Sequence, residues 1–141
     1  MVLISHRTNV DSALRIVVHG FSREEAALDV ERGANFFLTA ASIGNNETRR
    51  GVILNFAWHG PVVQGVEPPF QDNILYDFGR WRQFISRCNS HELVLVGYDL
   101  EQDEIDFRLV RNLLDRLLGR TVRPKIEATL NGALNRALPV A

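Results

Sequence analysis

Residues 5–21, with the sequence SHRTNVDSALRIVVHGF, restrict the possible folds of this chain more than any other stretch. The β-branched residues near the end, followed by His19 and Gly20, are typical of a buried strand that runs into a turn. A helix that begins near Val10 would instead place apolar residues at positions i, i+3, i+4, i+7 and i+8 of one face. Those residues are Val10, Ala13, Leu14, Val17 and Val18.

The helix is the better interpretation, because it accounts for more of the residues. Asn9 or Asp11 offers a side-chain oxygen to cap the helix N-terminus. Gly20 follows at the position where helices often end in a left-handed residue. A strand would have only three strongly apolar residues in a row, with the charged Arg15 directly before them. The helix also predicts that His19 lies at the surface, at a helix end.

Composition limits the class of protein. The 141 residues are 45% hydrophobic with a formal net charge of −1, which predicts a single globular domain over residues 1–141. The near-neutral charge gives no general argument for nucleic-acid binding. The single Cys88 excludes an internal disulfide and fits a cytoplasmic location. With no apolar run near the roughly 20 residues of a membrane span, we expect no membrane association. The histidines match no standard zinc spacing, so no metal is expected.

Apolar periodicity predicts a mixture of strands and helices. The predicted strands are residues 2–4, 35–40, 52–58 and 93–98. The predicted helices are residues 10–19, 22–32, 77–88, 104–118 and 126–138. Residues 42–50 and 60–70 are rich in turn-forming residues and are predicted to be loops. The order favours an α+β fold with a core at about residues 1–100 and C-terminal helices at about residues 103–141.

The spacing from His6-x-Thr8 through the helix to Gly20-Phe21 resembles the first motif of His-class ADP-ribosyltransferases. Its spacing is similar to that of DarT-type DNA ADP-ribosyltransferase toxins, and tRNA 2′-phosphotransferases carry a related version. The resemblance implies a split, mostly antiparallel sheet with flanking helices. It also implies an enzyme that consumes NAD and transfers ADP-ribose to an acceptor, which could be a nucleic acid, a protein or a small molecule.

The resemblance implies a set of site residues as well. His6, with Thr8, would bind the adenosine-side ribose of NAD. Phe37 and Thr39 stand where the family has an aromatic residue, usually Tyr, that stacks on nicotinamide; Phe keeps the ring face and loses the hydroxyl. Glu92, before a late strand, would hold a ribose hydroxyl and stabilise the positive charge that develops there. Glu101 and Glu104 are alternatives for this acidic role.

A noncatalytic binding protein is the alternative function. It could be a degenerate ADP-ribosyltransferase, or a truncated α/β-hydrolase-like domain in which residues 97–101, GYDLE, replace the Gly-x-Ser-x-Gly elbow. His6 could simply bond a backbone carbonyl. Because neighbouring residues of a strand face opposite sides, one of Phe36 and Phe37 should be a core residue. The leucine-rich face of residues 104–118 could also support a homodimer if it is exposed.

Overall fold

The computed structural model describes residues 1–21, 33–40, 50–89, 91–101 and 124–141. Two of the predicted helices, at residues 22–32 and 104–118, lie outside the described residues. The suggested dimer face and Glu104 belong to the second of these helices and lie outside them as well. So does nearly all of the predicted loop at residues 42–50.

In the described ranges, seven strands form one sheet, in the order β4-β5-β6-β2-β1-β3-β7. The strands are β1 (Val2–Thr8), β2 (Ala34–Leu38), β3 (Val52–Trp58), β4 (Val62–Gln64), β5 (Leu75–Asp77), β6 (Gln83–Ile85) and β7 (Leu93–Leu100). Neighbouring strands are antiparallel except for β4 and β5. With helices packed beside this sheet, the protein is α+β, as predicted. Strand β4 lies in a stretch that was predicted to be a loop.

Helix α1 (Val10–His19) resolves the ambiguity of the opening stretch in favour of the helix. The side chain of Asn9 accepts a hydrogen bond from the backbone N–H of Ser12 at 2.8 Å, which caps the first turn. Gly20 ends the helix with φ 80°. His19 is exposed, as predicted. The buried face is turned slightly from the predicted one, however, since Ile16 is buried and Val18 is 60% exposed.

The helix predicted for residues 77–88 is wrong, because these residues end strand β5 and form strand β6 of an antiparallel hairpin. The Asp77 carboxylate accepts the backbone N–H of Gly79 at 2.9 Å, and Gly79 has φ 109°, which turns the chain. Phe84 and Ile85 are both fully buried although neighbouring strand residues face opposite sides. The sheet is covered on both sides here, so burial follows neither helical nor alternating periodicity.

The C-terminal helix α2 covers residues 124–133 of the described chain and ends before the predicted boundary at residue 138. Residues 134–141, which we call the C-terminal strap, instead bond to the edge of β7 and to the backbone of Phe21 and Cys88. The core lies between the sheet, α1, α2 and the strap, and its largest buried side chains include Trp58, Phe21, Phe56 and Leu130. No helix in the described ranges is long and apolar enough to cross a membrane.

Candidate functional site

The central strand β1 separates the predicted site residues onto two faces of the sheet. His6 and Thr8 share a face with Ile4, which belongs to the core. Ser5 and Arg7 point to the opposite side, where Ser5 pairs with Phe37 of β2 and Asn55 of β3. We call that side the polar face. Its residues are Ser5, Arg7, Phe37, Thr39, Asn55, Asp99 and Glu101.

His6 is built into the β1–β2 packing. Its Nδ1 lies 2.8 Å from the carbonyl oxygen of Asn35. Its ring meets the rings of Phe21 and Phe36 edge-on, at centroid distances of 5.1 and 5.9 Å. Because a carbonyl oxygen can only accept, Nδ1 carries a proton in this hydrogen bond. His6 therefore bonds a backbone carbonyl, as the structural alternative predicted, and contacts Phe36 rather than Phe37.

Hydrogen bonds join four side chains of the polar face into a row. Thr39 and Ser5 lie 2.9 Å apart between their hydroxyl oxygens. Ser5 donates to Oδ1 of Asn55 at 2.7 Å, and Nδ2 of Asn55 donates to Oδ2 of Asp99 at 3.1 Å. Ser5 is fully buried, whereas Asp99 is exposed. We call this set the polar row; it connects a buried hydroxyl to a carboxylate at the surface.

An ion pair lies beside the polar row. Nε of Arg7 is 3.3 Å from Oε1 of Glu101, and their side chains are only 8% and 9% exposed. The same carboxylate oxygen accepts the backbone N–H groups of Arg50 and Gly51 at 3.1 and 3.3 Å. The Arg7 guanidinium also lies 5.9 Å from the ring centre of Phe37. Arg7 thus lies near both the Phe37 ring and the Glu101 carboxylate, which is the partner that a largely buried charge requires.

Strand β7 is irregular where it meets Asn55. The pairing passes from Asn55–Gly97 to Phe56–Leu95, so Val96 is an extra residue and forms a β-bulge. A Cβ added at Gly97 would meet nothing closer than 3.8 Å, at Asn55. Gly97, which follows the bulge, thus lies at ordinary van der Waals distance from Asn55 in the middle of the polar row.

Glu92 lies away from the other predicted residues. It precedes Leu93, which is level with Trp58 and Val2 in the sheet. His6 is four residues further along β1, a distance of about 13 Å at the usual rise of a strand. Near Glu92 are the Sγ of Cys88, 3.9 Å from Oε2, and the backbone of His59 and Gly60. Glu92 is thus at the far end of β7 from Glu101.

The predicted residues therefore form three groups. His6 and Thr8 lie on the core face, Phe37 and Thr39 on the polar face, and Glu92 at the opposite end of the sheet. Glu101 is the acidic alternative that shares a face with Phe37 and Thr39. In the described part of the chain, no three His, Cys, Asp or Glu side chains are grouped so that they could hold a metal ion.

The hydrolase alternative does not fit the strand arrangement. Residues 97–100 continue strand β7 rather than turning sharply into a helix, as a nucleophile elbow must. The residues that would begin such a fold, 15–19, belong to helix α1. The alternative function, a noncatalytic binding protein, therefore no longer includes a truncated α/β-hydrolase-like domain.

The predicted site residues did not include Ser5, Arg7, Asn55 and Asp99. Asn55 carried a signal, since it is the one polar residue in the apolar strand VILNFAW. A polar residue within such a strand must find a hydrogen-bond partner if it is covered. Ser5 and Arg7 alternate with Ile4 and His6, which indicates a second, polar face of the same strand.

Comparison of the chain with protein-family models, with curated proteins and with solved structures gave no match.

Proposed function

We propose that the protein binds NAD and transfers its ADP-ribose to a macromolecular or small acceptor, on an ADP-ribosyltransferase-like, mostly antiparallel sheet. The observation that carries the proposal is the unit formed by β1 and α1. A strand contains His6-x-Thr8, a capped amphipathic helix follows, and Gly20 ends it before Phe21. The two ends of the motif meet, since the rings of His6 and Phe21 are 5.1 Å apart.

The polar face is the part of the molecule that best suits the reacting end of NAD. It combines Phe37 as an apolar ring, Thr39 as a hydroxyl and Glu101 as a carboxylate, with Arg7 between the ring and the acid. Glu101 thus takes the role that the resemblance implied for Glu92. In this arrangement His6 supports the site by holding β1 against β2 and Phe21, and does not touch the nicotinamide.

The chemistry asked of these residues is simple. The bond between the ribose C1′ and the nicotinamide nitrogen breaks, and nicotinamide leaves with the electron pair. A nucleophile of the acceptor forms the new bond to C1′ and loses its proton to solvent. The ribose carries positive charge in the transition state, which a carboxylate such as that of Glu101 stabilises. Phe37 would orient the departing ring.

The test is NAD turnover and binding by the purified full chain. We expect release of nicotinamide from labelled NAD, with a loss of about 100-fold or more in Glu101→Gln, the size typical for removal of a group that stabilises transition-state charge. Glu67→Gln, a matched change at an exposed loop position, should keep the wild-type rate. Retention of the wild-type fold is checked by thermal unfolding.

Two results would contradict the proposal. Calorimetry that detects no NAD binding by the folded wild-type chain would exclude NAD as its ligand. A large loss in Glu92→Gln together with wild-type turnover in Glu101→Gln would return the acidic role to Glu92 and remove the site from the polar face.

A noncatalytic binding protein is the second candidate, and one observation favours it. His6 and Phe37 lie on opposite faces of the same sheet, and Glu92 is distant from both, so the three residues of the family motif do not meet. NAD binding without any turnover, in a sample that includes candidate nucleic-acid and protein acceptors, would support this candidate over the enzyme.

A further inference from the structure

Strand β4 is the outermost strand at one side of the described sheet, and half of its backbone groups face outwards. Its pairing with β5 uses the C=O of Pro61, both groups of Val63 and the N–H of Gly65. The residues between these turn their backbone groups the other way, as in any parallel ladder. The N–H and C=O groups of Val62 and Gln64 therefore point away from β5, and they have no hydrogen-bond partner in the part of the chain that the structure describes.

This edge is apolar and uncovered, whereas the C-terminal strap covers the outer edge of β7 at the other side of the sheet. Three large apolar side chains are exposed beside β4, those of Val62, Val66 and Phe78. Pro61 and Pro68 stand at the two ends of the edge, so they limit a further strand to residues 62–66 without interrupting it. An unpaired edge of this kind is a template for another strand.

A second copy of the same edge complements it in one antiparallel register, centred on Gln64. In this register Gln64 lies opposite Gln64 of the second copy, and Val62 lies opposite Val66 in two symmetric pairs. Val62 and Gln64 already turn their backbone groups towards the new ladder, as hydrogen-bonded pairs of antiparallel strands require. A shift by two residues would instead pair Val62 with Gln64 and leave Val66 uncovered, so the apolar pattern selects the first register.

The other face of this pairing is complementary as well. In the same register Gly65 lies opposite Val63 of the second copy. Gly65 has no side chain, and the ring of Phe78 covers it, since an added Cβ would lie 2.8 Å from a ring carbon of Phe78. Directly opposite residues of an antiparallel pair share a face, so Val63 of the second copy packs against the Phe78 ring. The one register thus covers all three exposed apolar side chains at this edge.

We infer that two copies of the chain associate through an antiparallel β4–β4 pair, which extends the sheet across a two-fold axis at Gln64. The contact is limited to residues 62–66 and Phe78 of each copy, so the dimer is weak and forms at high protein concentration. None of these residues belongs to the polar face, and the inference does not depend on the proposed function.

The experiment measures the mass of the full chain by sedimentation equilibrium, from about 10 μM to about 1 mM. The wild type should rise from the 16.0 kDa of one chain towards twice that mass. The double variant Val62→Lys/Val66→Lys places lysines opposite each other in both outer pairs and should weaken association at least about tenfold. Val18→Lys/Val96→Lys adds the same charge at two exposed valines outside β4 and should keep the wild-type mass.

A charge exchange tests the register. Val62→Glu/Val66→Glu should be monomeric by itself, whereas its equimolar mixture with the lysine variant should restore the dimer, because each lysine then lies opposite a glutamate. Thermal unfolding checks that every variant keeps the fold.

Three results would overturn the inference. The first is a wild-type chain that stays monomeric up to about 1 mM. The second is a dimer that persists unchanged in the lysine variant, which would place the contact on another surface. The third is a pair of lysine and glutamate variants that are each monomeric and still do not associate when mixed, which would exclude the register centred on Gln64.

Discussion

At the scale of single residues, Gly20 is a position that tolerates little change. Its φ of 80° lies in the left-handed region, where a side chain is strained. A Cβ there would also lie 2.6 Å from atoms of Pro139, including its carbonyl oxygen. Gly20 therefore ends helix α1. Because it has no side chain, it also allows Pro139 of the C-terminal strap to pack closely against it.

Gly20→Ala should accordingly destabilise the protein by about 2 kcal/mol or more, from backbone strain and steric overlap together. Denaturant unfolding measures the change in the free energy of unfolding. Gly132→Ala is the matched control, because this helix residue has no atom within 4 Å of an added Cβ. It should stabilise the protein by up to about 1 kcal/mol through helix propensity. Similar effects of the two substitutions would contradict this account of Gly20.

At the scale of elements, the β5–β6 hairpin depends on one carboxylate. Asp77 accepts hydrogen bonds from the backbone N–H of Gly79 and from the side chains of Gln83 and Gln64. The bond from Gly79, followed by that from Gln83, holds the pKa of Asp77 below its ordinary value of 3.8. The ionised form of Asp77 thus fixes the turn.

This shift predicts a contribution of Asp77 to acid sensitivity. A carboxylate with a lowered pKa in the folded state stabilises that state above the unfolded-state value, 3.8. The contribution is lost as the pH falls through the lower, native pKa. Urea midpoints measured between pH 6 and pH 2.5 should therefore fall less steeply for Asp77→Asn than for the wild type. Asp72→Asn should follow the wild-type curve, and a wild-type slope in Asp77→Asn would contradict the prediction.

At the scale of the whole molecule, the C-terminal strap joins the parts of the fold. Its backbone N–H groups donate to Leu95, Leu93, Cys88 and Phe21, at 2.6–2.9 Å, and so cover the outer edge of β7. Val140 is 1% exposed and belongs to the main core. The last residues of the chain thus tie α1, β7 and the central sheet together.

Val140→Ala should therefore cost about 2 kcal/mol of unfolding free energy, from two lost buried carbons and the cavity that they leave. Val18→Ala, at a side chain that is 60% exposed, is the matched control and should change stability by less than about 0.5 kcal/mol. Thermal and denaturant unfolding of both variants measure the difference. A negligible effect of Val140→Ala would mean that the strap is not part of the cooperative core.

Helix α1 and the strands β1, β2, β3 and β7 were predicted because the patterns that indicate them involve residues close together in the sequence. Asn9 caps α1 through the backbone of Ser12, three residues away, so the start of the helix is visible in the sequence. The β5–β6 hairpin was mistaken for a helix because Phe78, Trp81 and Phe84 share helical spacing by coincidence. Two of these aromatic side chains are partly exposed rather than buried on one face.

The sequence by itself determined the strand–helix unit that ends at Gly20, the apolar strands and the α+β class, since propensity, capping and periodicity act over a few residues. Only the tertiary structure decided which side chains meet. The register of the strands brings together Thr39, Ser5, Asn55 and Asp99. A shift of the register by one residue would turn every side chain of the shifted strand to the other face of the sheet. The same register separates His6 from Phe37 and places Glu101, not Glu92, beside Arg7. A site assembled across four strands is a property of the paired sheet, and local sequence carries no record of that pairing.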